Sequence, residues 1–374
     1  MSRTTVKLSA RDYNRAISPD KLNAQAQLTN KNIIINGGMT VAQRGTSATG
    51  ITSSDYRTVD RFRPSMGTVG TWTITQATDV PTGQGFANSL KFDCTTANGS
   101  LSAGSDMALQ YRIEGQNLQM LKKGTANAQS LTLSFWVKST KTGTFICELQ
   151  DNDNSRNISK AYTVSTTNTW EKKELTFAGD TTGTFGNDNA KSMTIMWWQS
   201  AGTTYTSGTL ATSWVSPTNA NRAVGQVNIA DSTANDWLIT GVQMEIGDKA
   251  TDFEYEPYNV TYKKCLRYYQ KITGTTGTNH YLGTLQAYSS ANVFGLIAPY
   301  LAPLRVAKPA VGQSGTFEFS QTGSSDTGSA TIANLAASDF GWMTGGWGGG
   351  TLTAGYASSC RATENAYLTA DAEL

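Results

Sequence analysis

Between residues 32 and 252, apolar residues recur at every second position in one short run after another, and Gly, Asn or Asp cuts each run. The clearest run is residues 130–138 (SLTLSFWVK), where Leu131, Leu133, Phe135 and Val137 alternate with Thr132, Ser134, Trp136 and Lys138. Residues 144–149, 160–165, 174–177, 193–198 and 237–245 are further candidates. Successive strand side chains point to opposite faces, so a period of two with one apolar face predicts half-buried antiparallel strands. Turn signals fall between the runs, at Thr142-Gly143, residues 151–154 (DNDN), Gly179-Asp180 and residues 186–189 (GNDN). Repeated short strands with this punctuation predict a β-sandwich or jelly roll. One helix is predicted within it, over residues 116–122, closed by Gly124.

Composition agrees and excludes several functions. The 374 residues include 36 Gly and 8 Pro, and 16% are charged, below the usual quarter or so, which favours strands and turns over helices. A net charge of +2 leaves no electrostatic footprint for duplex nucleic acid. No apolar run has the length of a membrane helix, and the first residues (MSRTTVKL) carry no signal-peptide core, so neither membrane insertion nor signal-directed secretion is expected. Cys94, Cys147, Cys265 and Cys360 form no CxxC pair, which argues against a zinc cage or a disulfide framework. His280 is the single histidine. Any Ser-His-Asp or Cys-His nucleophile would have to use it, and sites with two histidines cannot form within one chain. It lies in a turn-rich stretch with no evident partner and reads as an ordinary solvated histidine.

The rest of the chain divides by pattern. Residues 1–30 are basic and poor in aromatics, with a helix start at Ser18-Pro19-Asp20. They read either as an unstructured tail or as an arm docking the chain onto a larger assembly. Over residues 257–272, Tyr258, Tyr262, Cys265, Tyr269 and Ile272 recur at helical spacing opposite Lys263, Lys264, Arg267 and Lys271, which predicts one amphipathic linking helix. Residues 273–374 carry further strand patterns, at 293–304, 316–319, 330–333 and 366–371, and a Gly-rich loop over 340–350 holding Trp342 and Trp347. The expected organisation is an arm (1–30), a jelly roll (31–256), a linking helix (257–272) and a smaller β-rich unit (273–374).

Several stretches carry a resemblance. Residues 32–45 (NIIINGGMTVAQRG) with 56–62 (YRTVDRF) are similar to the opening of a domain found in tailed-phage and prophage virion proteins. Residues 237–258 (WLITGVQMEIGDKATDFEYEPY) resemble its closing strand, and 265–269 (CLRYY) the helix that follows. Residues 367–374 (YLTADAEL) resemble the ending of several such chains. The resemblance implies a jelly roll of the carbohydrate-binding-module type in a tail fibre, adhesin or other virion component. It implies assembly in the host cytoplasm, the arm as virion anchor, and association with copies of itself, often as a trimer, and with other tail or capsid proteins. A host surface glycan is the implied ligand.

Sugar binding needs aromatic faces for the sugar's C–H groups and polar side chains for its hydroxyls. Trp136 lies on the polar side of its strand, and of the adjacent Trp197 and Trp198 one must point away from the core. Trp136 and Trp198 are the platform candidates in the jelly roll, and Trp342 and Trp347 in the Gly-rich loop; packing in a core or an interface is the competing role for each. Asp151 and Asp153 belong to a segment, DNDNSR, with the oxygen density of a calcium loop. It lacks the EF-hand's Gly at place six and Glu at place twelve, and ordinary turn chemistry accounts for it. Jelly rolls of the kind it resembles often hold a structural calcium, an option the resemblance leaves open beside the favoured solvated turn; no cofactor is otherwise expected. Glu148, Asp151, Asp153, Glu254 and Glu256 supply carboxylates for glycoside cleavage, but no motif selects a pair. The reading is therefore a non-enzymatic tail-fibre or receptor-binding subunit. A capsid decoration or other structural virion protein is the alternative, and a glycan depolymerase a third.

Overall fold

The computed structural model of the chain describes residues 30–274, 280–289, 292–321, 327–330, 332–347 and 352–374. The arm expected over 1–30, with its short helix, lies outside the described residues except for Asn30.

The period-two runs fold into two antiparallel sheets. One is six-stranded, in the order β1 (Ser47–Ile51), β3 (Thr71–Ala77), β4 (Ser89–Thr96), β11 (Asp236–Ile246), β6 (Leu131–Ser139) and β9 (Glu171–Phe177). The other is five-stranded, in the order β2 (Phe62–Gly67), β5 (Asp106–Glu114), β10 (Lys191–Ala201), β7 (Gly143–Asp151) and β8 (Arg156–Val164). The fold class is all-β, an antiparallel jelly-roll sandwich. The apolar half of each alternation fills the space between the sheets. Phe135 and Val137 of β6 meet Phe145, Cys147 and Leu149 of β7 and Trp197 of β10 in one buried cluster. The Phe135 ring lies edge-on to Trp197 at 6.0 Å and to Tyr162 at 5.2 Å. Each such fully buried side chain contributes about 1.5–3 kcal/mol over leaving it in water. The helix expected over 116–122 is instead two 3₁₀ turns, Gly115–Asn117 and Gln119–Leu121, ended by Lys122 at φ 50°.

The linking helix is shorter than its periodicity predicts. It runs over α1 (Tyr258–Leu266) and buries Thr261, Cys265 and Leu266, leaving Tyr258 exposed. The chain then becomes strand β12 (Tyr269–Thr273), because its backbone pairs residue for residue with β21 (Tyr367–Asp371). A ladder of main-chain hydrogen bonds here outweighs side-chain spacing, which is a weaker determinant. β15 (Ala310–Ser314) completes that three-stranded sheet. The remaining strands form a seven-stranded sheet in the order β17 (Thr327–Ala330), β16 (Phe317–Gln321), β20 (Ala357–Ala362), β13 (His280–Ser289), β14 (Asn292–Pro299), β19 (Gly341–Trp347) and β18 (Ile332–Ala337). Phe317, Phe319, Trp342, Cys360, Leu368 and Ala370 share its core.

The last residues tie this unit to the sandwich. Glu373 pairs with Arg61, both nearly fully buried, and Arg44 reaches Asp371 at 2.9 Å. Arg305 donates to the Asn189 carbonyl at 2.9 Å, and Arg267 to Glu114 at 2.7 Å. The Arg61 guanidinium also lies 3.4 Å from the centre of the Tyr268 ring.

Candidate functional site

The outer face of the six-stranded sheet holds an aromatic groove. Its floor is Trp136, part-exposed because it alternates with the core residues Phe135 and Val137. Trp136 stands opposite Lys172 of β9 and Thr240 of β11. Two segments form the walls. The first joins β3 to β4, turns at Gly83 and Gly85, both at positive φ, and carries Gln84 and Phe86. The second follows β11, turns at Gly247 (φ 125°) and folds back over its own strand. Thr251 donates its N–H to Glu245 Oε1 at 2.8 Å, and Glu254 its N–H to Gln243 Oε1 at 2.8 Å. That return brings Phe253 and Tyr255 beside Phe86, with ring centroids 4.9–5.5 Å apart. The Tyr255 hydroxyl donates to the Gln84 carbonyl and joins the two walls. The enclosed space is about 300 Å³.

One glycine makes this packing fit. Gly241 sits at φ 61° where β11 shifts register against β6, and a Cβ there would lie 2.6 Å from the Phe86 ring. The first wall is anchored at its base by Asp79, whose carboxylate accepts from Lys138 Nζ at 2.7 Å and Trp170 Nε1 at 2.9 Å. Burial alone would raise the Asp79 carboxyl; those two hydrogen bonds and the Lys138 charge outweigh it and hold it below its ordinary value. Lys172 pairs with Glu174 at 2.9 Å. With these two lysines compensated, the groove offers ring faces beside hydrogen-bonding groups of Ser134, Gln84 and Asp252.

The other sequence candidates fall elsewhere. Trp198 does point away from the sandwich core, yet it is 1% exposed. Residues 202–231 cover that face of the five-stranded sheet, and Arg222 and Tyr205 pack on its indole. Its N–H donates to the buried Glu148 carboxylate at 3.0 Å. Trp342 is fully buried, donates to the Thr369 carbonyl at 2.7 Å and stacks edge-on with Tyr300. Residues 341–347 of the expected Gly-rich loop are in fact β19, paired with both β14 and β18, because glycine lets the strands approach: a Cβ on Gly341 would lie 2.1 Å from the Ala298 carbonyl oxygen; residues 348–350 lie outside the described residues. Trp198 and Trp342 therefore present no platform. The side chain of Trp347 lies outside the described residues, although its backbone ends β19.

Asp151 and Asp153 are both engaged by the turn itself. Asp151 Oδ1 accepts the backbone N–H groups of Asp153 and Asn154, closing the turn, and Asp153 Oδ2 accepts the Gly186 N–H. A lysine supplies the local cation. Lys123 Nζ is held by Asp151 Oδ2 at 2.6 Å, Asp180 Oδ2 at 3.1 Å and the carbonyls of Thr182 and Gly183 at 2.6 and 2.9 Å. Among the described residues no group of three or more His, Cys, Asp or Glu is placed to hold a metal. The remaining candidate carboxylates are also engaged. Glu148 is bidentate with Arg222, Glu254 accepts the N–H groups of Asn30 and Asn32, and Glu256 pairs with Lys264.

No protein-family model matches the chain, and no curated protein matches it in sequence. Solved structures do match in part. The bacteriophage CBA120 tailspike protein 4 enzymatically active domain is 15% identical over 58% of this chain, with a TM-score of 0.31, and the chain spans 22% of that one. TmCBM61, solved with β-1,4-galactotriose, is 11% identical over 58% of this chain and all of its own, with a TM-score of 0.29. The family 11 carbohydrate-binding module of the Clostridium thermocellum cellulase Lic26A-Cel5E is 13% identical over 54% of this chain and 96% of its own, with a TM-score of 0.25. At these scores none of them indicates what this chain binds.

Proposed function

We propose that this protein is a surface subunit of a tailed-phage virion, a tail-fibre or receptor-binding protein, that binds a neutral host-surface glycan and does not cleave it. The observation that carries glycan binding is the part-exposed Trp136 floor between the Phe86–Phe253–Tyr255 wall and the polar groups of Ser134, Gln84 and Asp252. A flat ring flanked by donors and acceptors fits a sugar, which has an apolar C–H face and a polar rim. The pairing of Lys138 and Lys172 with carboxylates favours an uncharged sugar over an anionic one. The engagement of Glu148, Glu254 and Glu256 in ion pairs or backbone hydrogen bonds supports binding without catalysis. The virion station rests on the sequence resemblance of residues 32–45, 56–62, 237–258 and 265–269.

A second reading, a non-adhesive structural virion protein, is favoured by Phe294, Leu296, Phe340 and Tyr356, exposed apolar residues of the C-terminal unit suited to contacts with sister subunits or other virion proteins. A microarray of neutral glycans separates the two. The wild type binds a subset, and Trp136→Ala loses that binding by about thirtyfold, the scale of a hot-spot aromatic, with an unchanged melting temperature. Absence of binding by the wild type leaves the structural reading.

A further inference from the structure

The groove does not end at its aromatic wall. On the far side of Phe86, Phe253 and Tyr255 lies a second cleft of about 250 Å³, and the same three side chains line both. Its floor is the tight segment that precedes β1. Gly37 packs directly on β11, where a Cβ would lie 2.0 Å from the Val242 carbonyl oxygen. Its far wall is the start of α1. Tyr258, 61% exposed, stands there with Glu256, whose carboxylate is fixed by Lys264 and Thr261. Tyr255, 57% exposed, crowns the ridge between the clefts.

Pockets for drug-sized ligands span about 300–1,000 Å³. Each cleft alone is at or below the bottom of that range, and only the two together fall well inside it. Both offer the same chemistry: aromatic faces beside fixed carbonyl, amide and carboxylate oxygens.

We propose that the two clefts are subsites of one binding site and that the ligand is a glycan chain crossing the Tyr255 ridge, not a single terminal sugar. This rests on the glycan-binding reading above and adds to it a chain length and a second set of recognition residues. The Trp136 cleft holds one end of the bound segment and the Tyr258–Glu256 cleft the other.

Gly38 offers a clean test. Unlike Gly37 it has room for a side chain, since a Cβ there would be 3.8 Å from the nearest atoms, Phe253 Cζ and Thr40 Cγ2. Gly38→Leu therefore extends into the second cleft without displacing backbone. The full-length wild type, Gly38→Leu, Tyr258→Ala and Trp136→Ala are applied to a microarray of linear neutral oligosaccharides of glucose, galactose, mannose or N-acetylglucosamine, each printed at two and at six units. The wild type should bind its preferred six-unit glycan about tenfold more tightly than the two-unit form. Gly38→Leu and Tyr258→Ala should each remove that advantage and leave two-unit binding unchanged, whereas Trp136→Ala should weaken both lengths. If Gly38→Leu fails to fold, Tyr258→Ala carries the same comparison. Equal wild-type binding of both lengths, or full six-unit binding by Gly38→Leu and Tyr258→Ala, overturns the extended site and leaves the Trp136 site standing. No wild-type binding to any glycan overturns both.

Discussion

Lys123→Met tests whether an internal ammonium holds the turn region of the sandwich together. Methionine keeps much of the volume and removes the charge. Four contacts are lost: Asp151 Oδ2 at 2.6 Å, Asp180 Oδ2 at 3.1 Å, and the Thr182 and Gly183 carbonyls at 2.6 and 2.9 Å. Asp180 retains Arg156 at 2.7 Å. Asp151, whose side chain is fully buried, keeps only neutral donors, the N–H groups of Asp153 and Asn154 and the Asn154 amide. Stranding a buried charge in this way costs about 3–5 kcal/mol. Each kcal/mol shifts the melting temperature of a unit this size by about 2–4 °C, so a fall of about 6–20 °C is expected. Calorimetry at pH 7 without added metal measures it. Lys123→Met/Asp151→Asn should recover more than half of the loss, because the stranded charge is gone, and millimolar calcium should leave the wild type unchanged. A Lys123→Met melt within 1 °C of the wild type, or no recovery in the double variant, would refute the charge argument.

Two further predictions follow from buried groups. Gly241→Ala places a Cβ against the Phe86 ring at a left-handed backbone position, so it should destabilise the fold by about 1–3 kcal/mol and abolish glycan binding; a variant with wild-type affinity would separate Phe86 from the site. Asp60 is buried and accepts from Gln43 N at 2.9 Å and Gln43 Nε2 at 2.5 Å, and burial pushes its carboxyl up from 3.8 to about 6 against the lowering by Arg44. A raised carboxyl means the folded state binds the proton more tightly, so this group's contribution to stability falls as pH rises from about 4 to 6 and is constant above. The stability difference between wild type and Asp60→Asn, from urea unfolding across that range, should fall by about 3 kcal/mol; a flat or rising difference contradicts the assignment.

The sheets were legible because period two is a strong local signal, and so was the side of β6 on which Trp136 lies. Trp198 shows the limit of that signal. Alternation correctly turns it away from Trp197 and the core, but residues 202–231, which have no periodicity, cover the face it turns to. Trp342 was misplaced because glycine serves close strand approach as readily as loops, and only the pairing partners of β19 distinguish the two. The turn reading of residues 151–156 was legible, but the part of Lys123 was not: it lies 28 residues before Asp151 and carries no local mark of its role. The groove walls were hidden for the same reason: Phe86 and Phe253 meet only because Gly241 leaves room and the chain folds back after Gly247.

The most direct measurement is a crystal structure of the full chain with the tightest-binding glycan from the microarray. The proposed site requires a sugar ring stacked on Trp136, with the chain passing Tyr255 toward Tyr258. A glycan bound elsewhere on the sandwich or on the C-terminal unit, with the Trp136 groove empty, would contradict it.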